Sequence, residues 1–391
     1  MKGIKSKRKL AEQCPERIIK KNLCTNCGTC IGVCPRGAVA FKNDEIIVDK
    51  TACTSCGECI NVCPGGDFDF PAYQKALFYK EKGVDDRELG HYIGVYRGFS
   101  HNKVVRAAAA SGGVVTEFLC ELLEGRQVDG AVVVVPDSHN PARFTVDIAR
   151  SREEILAAVQ SKYTFVPMNE ILKEIKKYDG KYAFVGLPCQ IQGLRKAMEA
   201  DALFSSRIFF VIGLFCGFQM KYGGTKYLID KSGIPRDAIK KIEYRAKRGR
   251  RTGFRVVSND GGEFFVDKHE YTFLNLVYTM PRCLKCYDFT AEFSDVSIGD
   301  AWEKEAFSRI VTRTGKSDAV VEKLKNSNKI FVEESNKEDI MATQGHLIRY
   351  KKYGVWRRKR LFLNFPRYNV ETYVAEDTCG GGGGGCFWHI I

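Results

Sequence analysis

Eight of the sixteen cysteines in this 391-residue chain fall in two runs of one spacing. Cys24, Cys27, Cys30 and Cys34 are followed by Pro35, and Cys53, Cys56, Cys59 and Cys63 by Pro64. Each run is C-x2-C-x2-C-x3-C-P, which ligates cubane 4Fe–4S clusters. Three thiolates a tight loop apart can reach three irons of one cluster. The fourth starts a helical turn pointing away, so it serves the other cluster. The spacing therefore assigns Cys24, Cys27, Cys30 and Cys63 to one cluster, and Cys53, Cys56, Cys59 and Cys34 to a second. Paired cysteines also build zinc ribbons, but two complete runs, each closed by proline, favour iron–sulfur clusters.

Four further cysteines stand at suggestive places. Cys189 and Cys216 each follow a predicted strand, where a parallel sheet gathers ligands at one edge. Cys283 and Cys286 form a C-x-x-C in a loop between Pro281 and Asp288. A lone C-x-x-C serves zinc or thiol redox chemistry as readily as a cluster. By spacing alone the four are a third 4Fe–4S site, a zinc site or free thiols. Cys120 lies beside an apolar helix face and reads as a buried structural thiol, and Cys14 as a structural or idle one. Cys379 and Cys386 bracket six glycines, Gly380 to Gly385. That tract formally matches G-x-G-x-x-G, but it follows no strand and opens no helix, so it reads as a flexible tail.

The elements that must position these thiols follow from pattern. A hydrophobic content of 44% and a charged content of 28% are ordinary for a globular chain of two or three domains. No secretory signal precedes the cysteine runs, which points to a reducing cytoplasm. The longest apolar run, Ile208 to Phe218, is too short to span a bilayer. The formal charge of +14 calls for an acidic partner, an anionic cofactor or a membrane surface. Residues 1–20 read as a basic extension, 21–72 as a two-cluster ferredoxin domain with a hairpin about Asn43-Asp44, and 73–90 as a charged helical linker. Residues 91–215 alternate strands and helices, which predicts a mostly parallel sheet. Residues 216–348 carry a β-hairpin over Phe254–Asp267 and a helix over Asp318–Asn326. Residues 349–391 are a basic, aromatic arm and glycine-rich tail; basic residues mixed with aromatics suit nucleic acid or a membrane, and a docking arm for a partner protein is the preferred reading. The fold class is thus an N-terminal ferredoxin domain with two 4Fe–4S clusters, fused to a mixed α/β domain.

The order Ser111-Gly-Gly-Val-Val-Thr116, Ser161-Lys-Tyr163, Gly186-Leu-Pro-Cys-Gln-Ile-Gln-Gly193, Cys216-Gly217, Cys283-x-x-Cys286 and Asp288 to Asp300 resembles the beta subunit of coenzyme F-420-reducing hydrogenase and its relatives. The resemblance covers roughly residues 90 to 345. It implies a flavin- and iron–sulfur-binding α/β domain, with FAD, one 4Fe–4S cluster beside it at Cys189, Cys216, Cys283 and Cys286, and hydride exchange with the deazaflavin F-420. Some relatives carry an added two-cluster ferredoxin, as the electron-input subunit of F-420H2 dehydrogenase does.

Those cofactors need anion sites. Ser111, Gly112 and Gly113 at the start of a helix offer N–H groups to a pyrophosphate, with Arg106 just upstream; a plain helix cap is the alternative. Ser161, Lys162 and Tyr163 supply a cation and a ring for the flavin, or else a helix-ending turn. Gln190 belongs to the motif around Cys189. Arg245, Lys247, Arg248, Arg250 and Arg251 could receive the polyanionic tail of F-420, or stand as a solvated loop. The hydride step needs no general acid or nucleophile, so no catalytic side chain is expected. The reading is an F-420H2 oxidoreductase subunit, cytoplasmic or held at the membrane face by a larger iron–sulfur redox complex, with no nucleic acid and no transmembrane segment. The alternatives are a flavin and iron–sulfur reductase of another organic substrate, or a flavin-free adaptor of the polyferredoxin kind.

Overall fold

The structure is a computed structural model that describes residues 15–249, 251–302 and 306–370. Cys14, Arg250, Cys379, Cys386 and the glycine tract lie outside the described residues.

The two cysteine runs fold as the same local unit twice. Asn26 and Ser55, each just before the second cysteine of its run, take left-handed backbone (φ 52° and 54°), as do Gly28 and Gly57 just after it (φ 84° and 87°). Short helical turns, Thr29–Gly32 and Glu58–Asn61, carry the third cysteine of each run. Between them β1 (Val39–Lys42) and β2 (Glu45–Val48) pair antiparallel about Asn43-Asp44, as their sequence predicts. Gly28 also faces the rest of the molecule: a Cβ there would stand 2.4 Å from the carbonyl oxygen of Pro167. The module is therefore pressed onto its neighbour.

A short strand, β3 (Asp67–Asp69), leads into the helix Phe70–Phe78, capped by Asp69. The helical linker expected over 73–90 ends here; β4 (Val84–Asp86) and β5 (Gly90–Tyr92) form a hairpin instead. The alternation of charge there suits a two-sided exposed ribbon as well as a helix.

One eight-stranded sheet organises the rest. Its strands are β6 (Gly94–Ser100), β7 (Gly130–Pro136), β8 (Phe144–Ala149), β9 (Tyr182–Gly186), β10 (Ile208–Leu214), β14 (Val296–Asp300), β15 (Ser308–Thr312) and β16 (Ile330–Glu334). Their order is β16-β6-β15-β14-β10-β9-β7-β8. Only the centre, β14-β10-β9-β7, is parallel; β8 on one side and β15, β6 and β16 on the other run antiparallel. The mostly parallel sheet expected is thus a mixed one: β8 and β15 return beside β7 and β14 by short connections, whereas β6 pairs antiparallel with β15 and β16, both far from it in the chain. The central strands are apolar throughout because both faces are covered. Phe210 and Ile212 join Phe118 and Leu122 in one core, whereas Val211 joins Ile191 and Leu194 in the core of the opposite face.

A three-stranded sheet, β11 (Ile239–Arg248), β12 (Arg251–Ser258) and β13 (Glu263–Asp267), forms a separate core around Tyr244 and Phe254. The β12–β13 hairpin is as predicted; β11 is an added strand, so Arg245, Lys247, Arg248 and Arg251 ride a hairpin, not a loop. The expected arm is part of the fold as far as residue 370. The helix Lys337–Lys352 runs past the boundary placed at 348, the helix Gly354–Lys359 follows, and β17 (Arg367–Asn369) pairs parallel with β3. Lys351 and Lys352 are buried and supply interior charges, whereas Arg349, Arg357, Lys359, Arg360 and Arg367 stay exposed on the packed segment.

Candidate functional site

The twelve cysteines come together in three sets. In the first, the thiols of Cys24, Cys27 and Cys30 each lie within electrostatic range of Cys63. One cysteine of the second run thus stands with three of the first. Burial pushes Cys24 up to about 12, with Cys63 and Cys27 adding to the rise and an Asn26 backbone hydrogen bond opposing it. Cys27 and Cys30 are raised too, by burial first. Such thiols stay protonated unless a metal displaces the proton.

In the second set, Cys34, Cys53, Cys56 and Cys59 line one pocket with Val39 and Val48 of the hairpin. Cys53 and Cys56 are exposed. This set therefore opens on the surface.

The third set is built from the sheet. Gly186 at the end of β9 is in register with Gly213 of β10, so the segments leaving both strands emerge side by side. Cys189 lies in the first turn of the helix Pro188–Ala200 rather than in the loop expected for it. Cys216 is two residues beyond β10, and its N–H donates to the carbonyl of Phe289 at 2.9 Å. Cys283 and Cys286 flank a single helical turn. Cys189 is raised well above its ordinary range by burial, with Cys216, Cys27, Cys286 and Cys283 contributing in that order. Cys216 is pushed up to about 12 by burial, against the pull of Lys351. Among the described residues, no three His, Cys, Asp or Glu side chains close on one point as a single metal ion needs. A cubane asks for a wider set, one thiolate on each iron.

The first and third sets are neighbours. Cys27 acts on Cys189, and a Cβ on Gly193, one turn along the helix that starts at Pro188, would stand 3.3 Å from the Cys27 sulfur. Asn169 stitches the seam and Arg282 lies within it. Lys351 donates to the Cys286 sulfur at 3.4 Å and to the carbonyl of Asp288 at 2.9 Å. These three side chains were not singled out by pattern; only the Pro-Arg-Cys-x-x-Cys context of Arg282 hinted at one of them.

The candidate anion-binding residues also converge in part. Arg245 donates to the carbonyl of Ala110 at 2.9 Å, to Asp300 at 2.6 Å and to the hydroxyl of Tyr163 at 3.2 Å. Its Nε has no partner among the described residues. Burial lowers its pKa, but Tyr163 and Asp300 outweigh that and raise it, so it is charged. Lys247 donates to the carbonyl of Arg106 at 2.7 Å, and the Arg106 guanidinium lies 3.7 Å over the Phe99 ring. Arg245 thus links Tyr163 to the residue before the turn at Ser111, Gly112 and Gly113, and Lys247 reaches the helix preceding that turn, beyond which the helix Val114–Glu124 starts with no side-chain cap. The Gly112 N–H is already given to Ser308 Oγ at 3.1 Å, and Ser111 pairs with the same hydroxyl at 3.0 Å. Arg248 points elsewhere, 5.6 Å over the Phe265 ring. Lys162 donates to the carbonyls of Ala158 and Val159, which caps a helix end, and its neighbour Ser161 is half-buried. Gln190 is committed to Leu187 and Val166 at 2.8 and 3.1 Å.

A mixed α/β body carrying an N-terminal ferredoxin-like 4Fe–4S domain defines the class, and residues 23–67 match the 4Fe-4S dicluster domain family. Residues 95–173 and 179–338 match the N-terminal and C-terminal families of the coenzyme F-420 hydrogenase/dehydrogenase beta subunit. The chain belongs to that beta-subunit family. It is 30% identical over 261 residues to the beta subunit of the coenzyme F-420 hydrogenase of Methanococcus voltae, covering 64% of this chain and 87% of that one. It is 26% identical over 382 residues to one of the subunits of the F-420H2 dehydrogenase of Methanosarcina mazei, covering 92% and 98%. It is 28% identical over 359 residues to a coenzyme F-420-dependent sulfite reductase of Methanocaldococcus jannaschii, covering 88% of this chain but spanning only 52% of that relative. A chain of the F-420-reducing [NiFe] hydrogenase complex of Methanosarcina barkeri shares the fold, with a TM-score of 0.59 at 22% identity, covering 73% of this chain and 99% of that one.

Proposed function

We propose that this chain is an F-420H2 oxidoreductase subunit that connects a two-electron substrate to a one-electron partner complex. Bound FAD would supply the conversion, since a flavin can take part in both two-electron hydride exchange and single-electron transfer. Arg106, Tyr163, Arg245 and Lys247 would hold the anionic parts of flavin and substrate, with the open start of the helix Val114–Glu124. The unpartnered Arg245 Nε and that uncapped helix end suit an anion. The thiols of Cys189, Cys216, Cys283 and Cys286 would hold the inner cluster, those of Cys24, Cys27, Cys30 and Cys63 the middle one, and those of Cys34, Cys53, Cys56 and Cys59 the outer one.

The observation that carries the reading is this serial arrangement, from a half-buried third set, past a seam at Cys27, to a surface set with Cys53 and Cys56 exposed. The helix Lys337–Lys352 supports the same order at its inner end. Gln344 donates to the carbonyl of Asp300, beside Arg245, and Lys351 reaches Cys286. The seven-residue step from one to the other rises roughly 10 Å. Among the described residues no helix is long and apolar enough to cross a membrane, so a partner or the protein surface would provide any membrane contact.

Anaerobically purified chain should contain about twelve iron, four per cubane, together with bound flavin. Eight iron with one zinc would remove the inner cluster from the scheme, and iron without flavin would turn the reading to an electron-transfer adaptor.

A further inference from the structure

Arg282 immediately precedes Cys283 and is only 3% exposed. Its Nη2 donates to the carbonyl of Pro64, the residue after Cys63, at 3.4 Å. Its Nε and Nη1 have no hydrogen-bond partner among the described residues. The Tyr368 side chain, its ring 5.4 Å from the guanidinium carbon, closes one side and interacts with the charge through its hydroxyl, without a hydrogen bond to Nε or Nη1. A buried guanidinium with two idle N–H groups is unfavourable in a protein interior, and it persists where something absent from the polypeptide accepts them. The charge faces two sets of thiols. It acts on Cys24 in the first set and on Cys283 in the third, and it interacts with Cys286 and Cys189 in turn.

We propose that Arg282 is a cation shared by the inner and middle clusters, with Nε–H and Nη1–H donating to cluster sulfur. The proposal rests on the reading that both sets of thiols hold clusters. Hydrogen bonds to sulfur and nearby positive charge favour the reduced cluster, so the shared guanidinium raises both reduction potentials. One charge acting on two adjacent centres raises both potentials, which favours electron occupancy at the seam. Lys351 is the contrast. It contacts Cys286 and Asp288, so it belongs to the inner site alone.

The test is a redox titration of the full chain, purified anaerobically and followed by electron paramagnetic resonance. Arg282→Gln should lower the midpoints of two of the three clusters. Each should change by at least tenfold in the one-electron reduction constant, about 59 mV. The third midpoint should hold, Arg282→Lys should restore much of the loss, and Lys351→Gln should move a single midpoint. Midpoints unchanged, or all three displaced together, in a variant that retains about twelve iron would overturn the proposal while leaving the function standing. If Arg282→Gln sheds iron, the unaltered protein decides. Isotopic labelling of the arginine guanidinium should give nitrogen couplings in the pulsed spectra of two reduced clusters, and their absence would overturn the proposal. Unaltered protein lacking either cluster would overturn both readings.

Discussion

Asn169, wholly buried, donates through Nδ2 to the hydroxyl of Thr29 at 2.7 Å and to the carbonyl of Gln190 at 2.8 Å. Its own N–H donates to the carbonyl of Cys27 at 2.8 Å. One side chain thereby ties the first cysteine loop to the helix that begins next to Cys189. Replacing it with alanine leaves a buried hydroxyl and a buried carbonyl without their donor, which costs about 1–3 kcal/mol. Asn169→Ala should lower the unfolding temperature, and it should slow reduction of the ferredoxin clusters more than reduction of the inner one. Stopped-flow absorbance separates the two, and equal rates would mean that the seam does not set the transfer distance. Deeper in, Lys352 pairs with Glu292, both almost without solvent, as an internal ion pair under the inner site.

The β11–β12 hairpin shows how an element sorts residues that look equivalent in a row of cations. Arg245 and Lys247 lie two apart on one strand and so share a face, the one toward Arg106 and Ala110. Arg248 is one residue on and stacks over Phe265. A hydride donor with a phosphate and glutamate tail should therefore feel Lys247 far more than Arg248. Lys247→Glu should raise the KM for F-420H2 by about tenfold, roughly 1.4 kcal/mol, and more at low salt. Arg248→Glu should change it little. Steady-state kinetics at two ionic strengths checks this, and equal effects from both would move the tail site off this face. The turn before the helix Val114–Glu124 is set as firmly. A Cβ on Gly112 would stand 2.5 Å from the Gly98 carbonyl oxygen, so the loop can pass over β6 only as glycine.

Under the proposed function the whole molecule would work as a wire with a substrate end and a partner end. Cys189 stands where they meet, in the inner set and within range of Cys27. Cys189→Ala should leave hydride transfer from F-420H2 to flavin nearly unchanged, because the anion-binding residues lie elsewhere. It should stop reduction of the two ferredoxin clusters. Rapid mixing would then bleach the flavin band in one fast phase with no cluster signal after it. Normal reduction of the ferredoxin clusters would mean that electrons bypass this set. The folded-back segment ending at β17 ties the ferredoxin module to the Cys283–Cys286 turn, since β17 pairs with β3 while the Tyr368 hydroxyl donates to the Lys285 carbonyl at 3.0 Å.

What the amino-acid sequence determined unaided is what depends on neighbours along the chain. The cysteine spacing, the hairpin at Asn43-Asp44 and the apolar runs of β9 and β10 are all local. Each follows from ring size, backbone sterics or two-sided burial. The motif order likewise carried the family. Strand β11 escaped because Lys240, Lys241, Lys247 and Arg248 blur its period, and the sheet that hides its other face is only assembled in three dimensions. The antiparallel flanks of the large sheet escaped because pairing direction is a property of the return path, not of either strand. Arg282, Lys351 and Asn169 carry no local signature of their roles. They matter because the tertiary fold brings residues far apart in the chain within hydrogen-bond distance of one another, and charge and hydrogen bonding act through space rather than along the backbone.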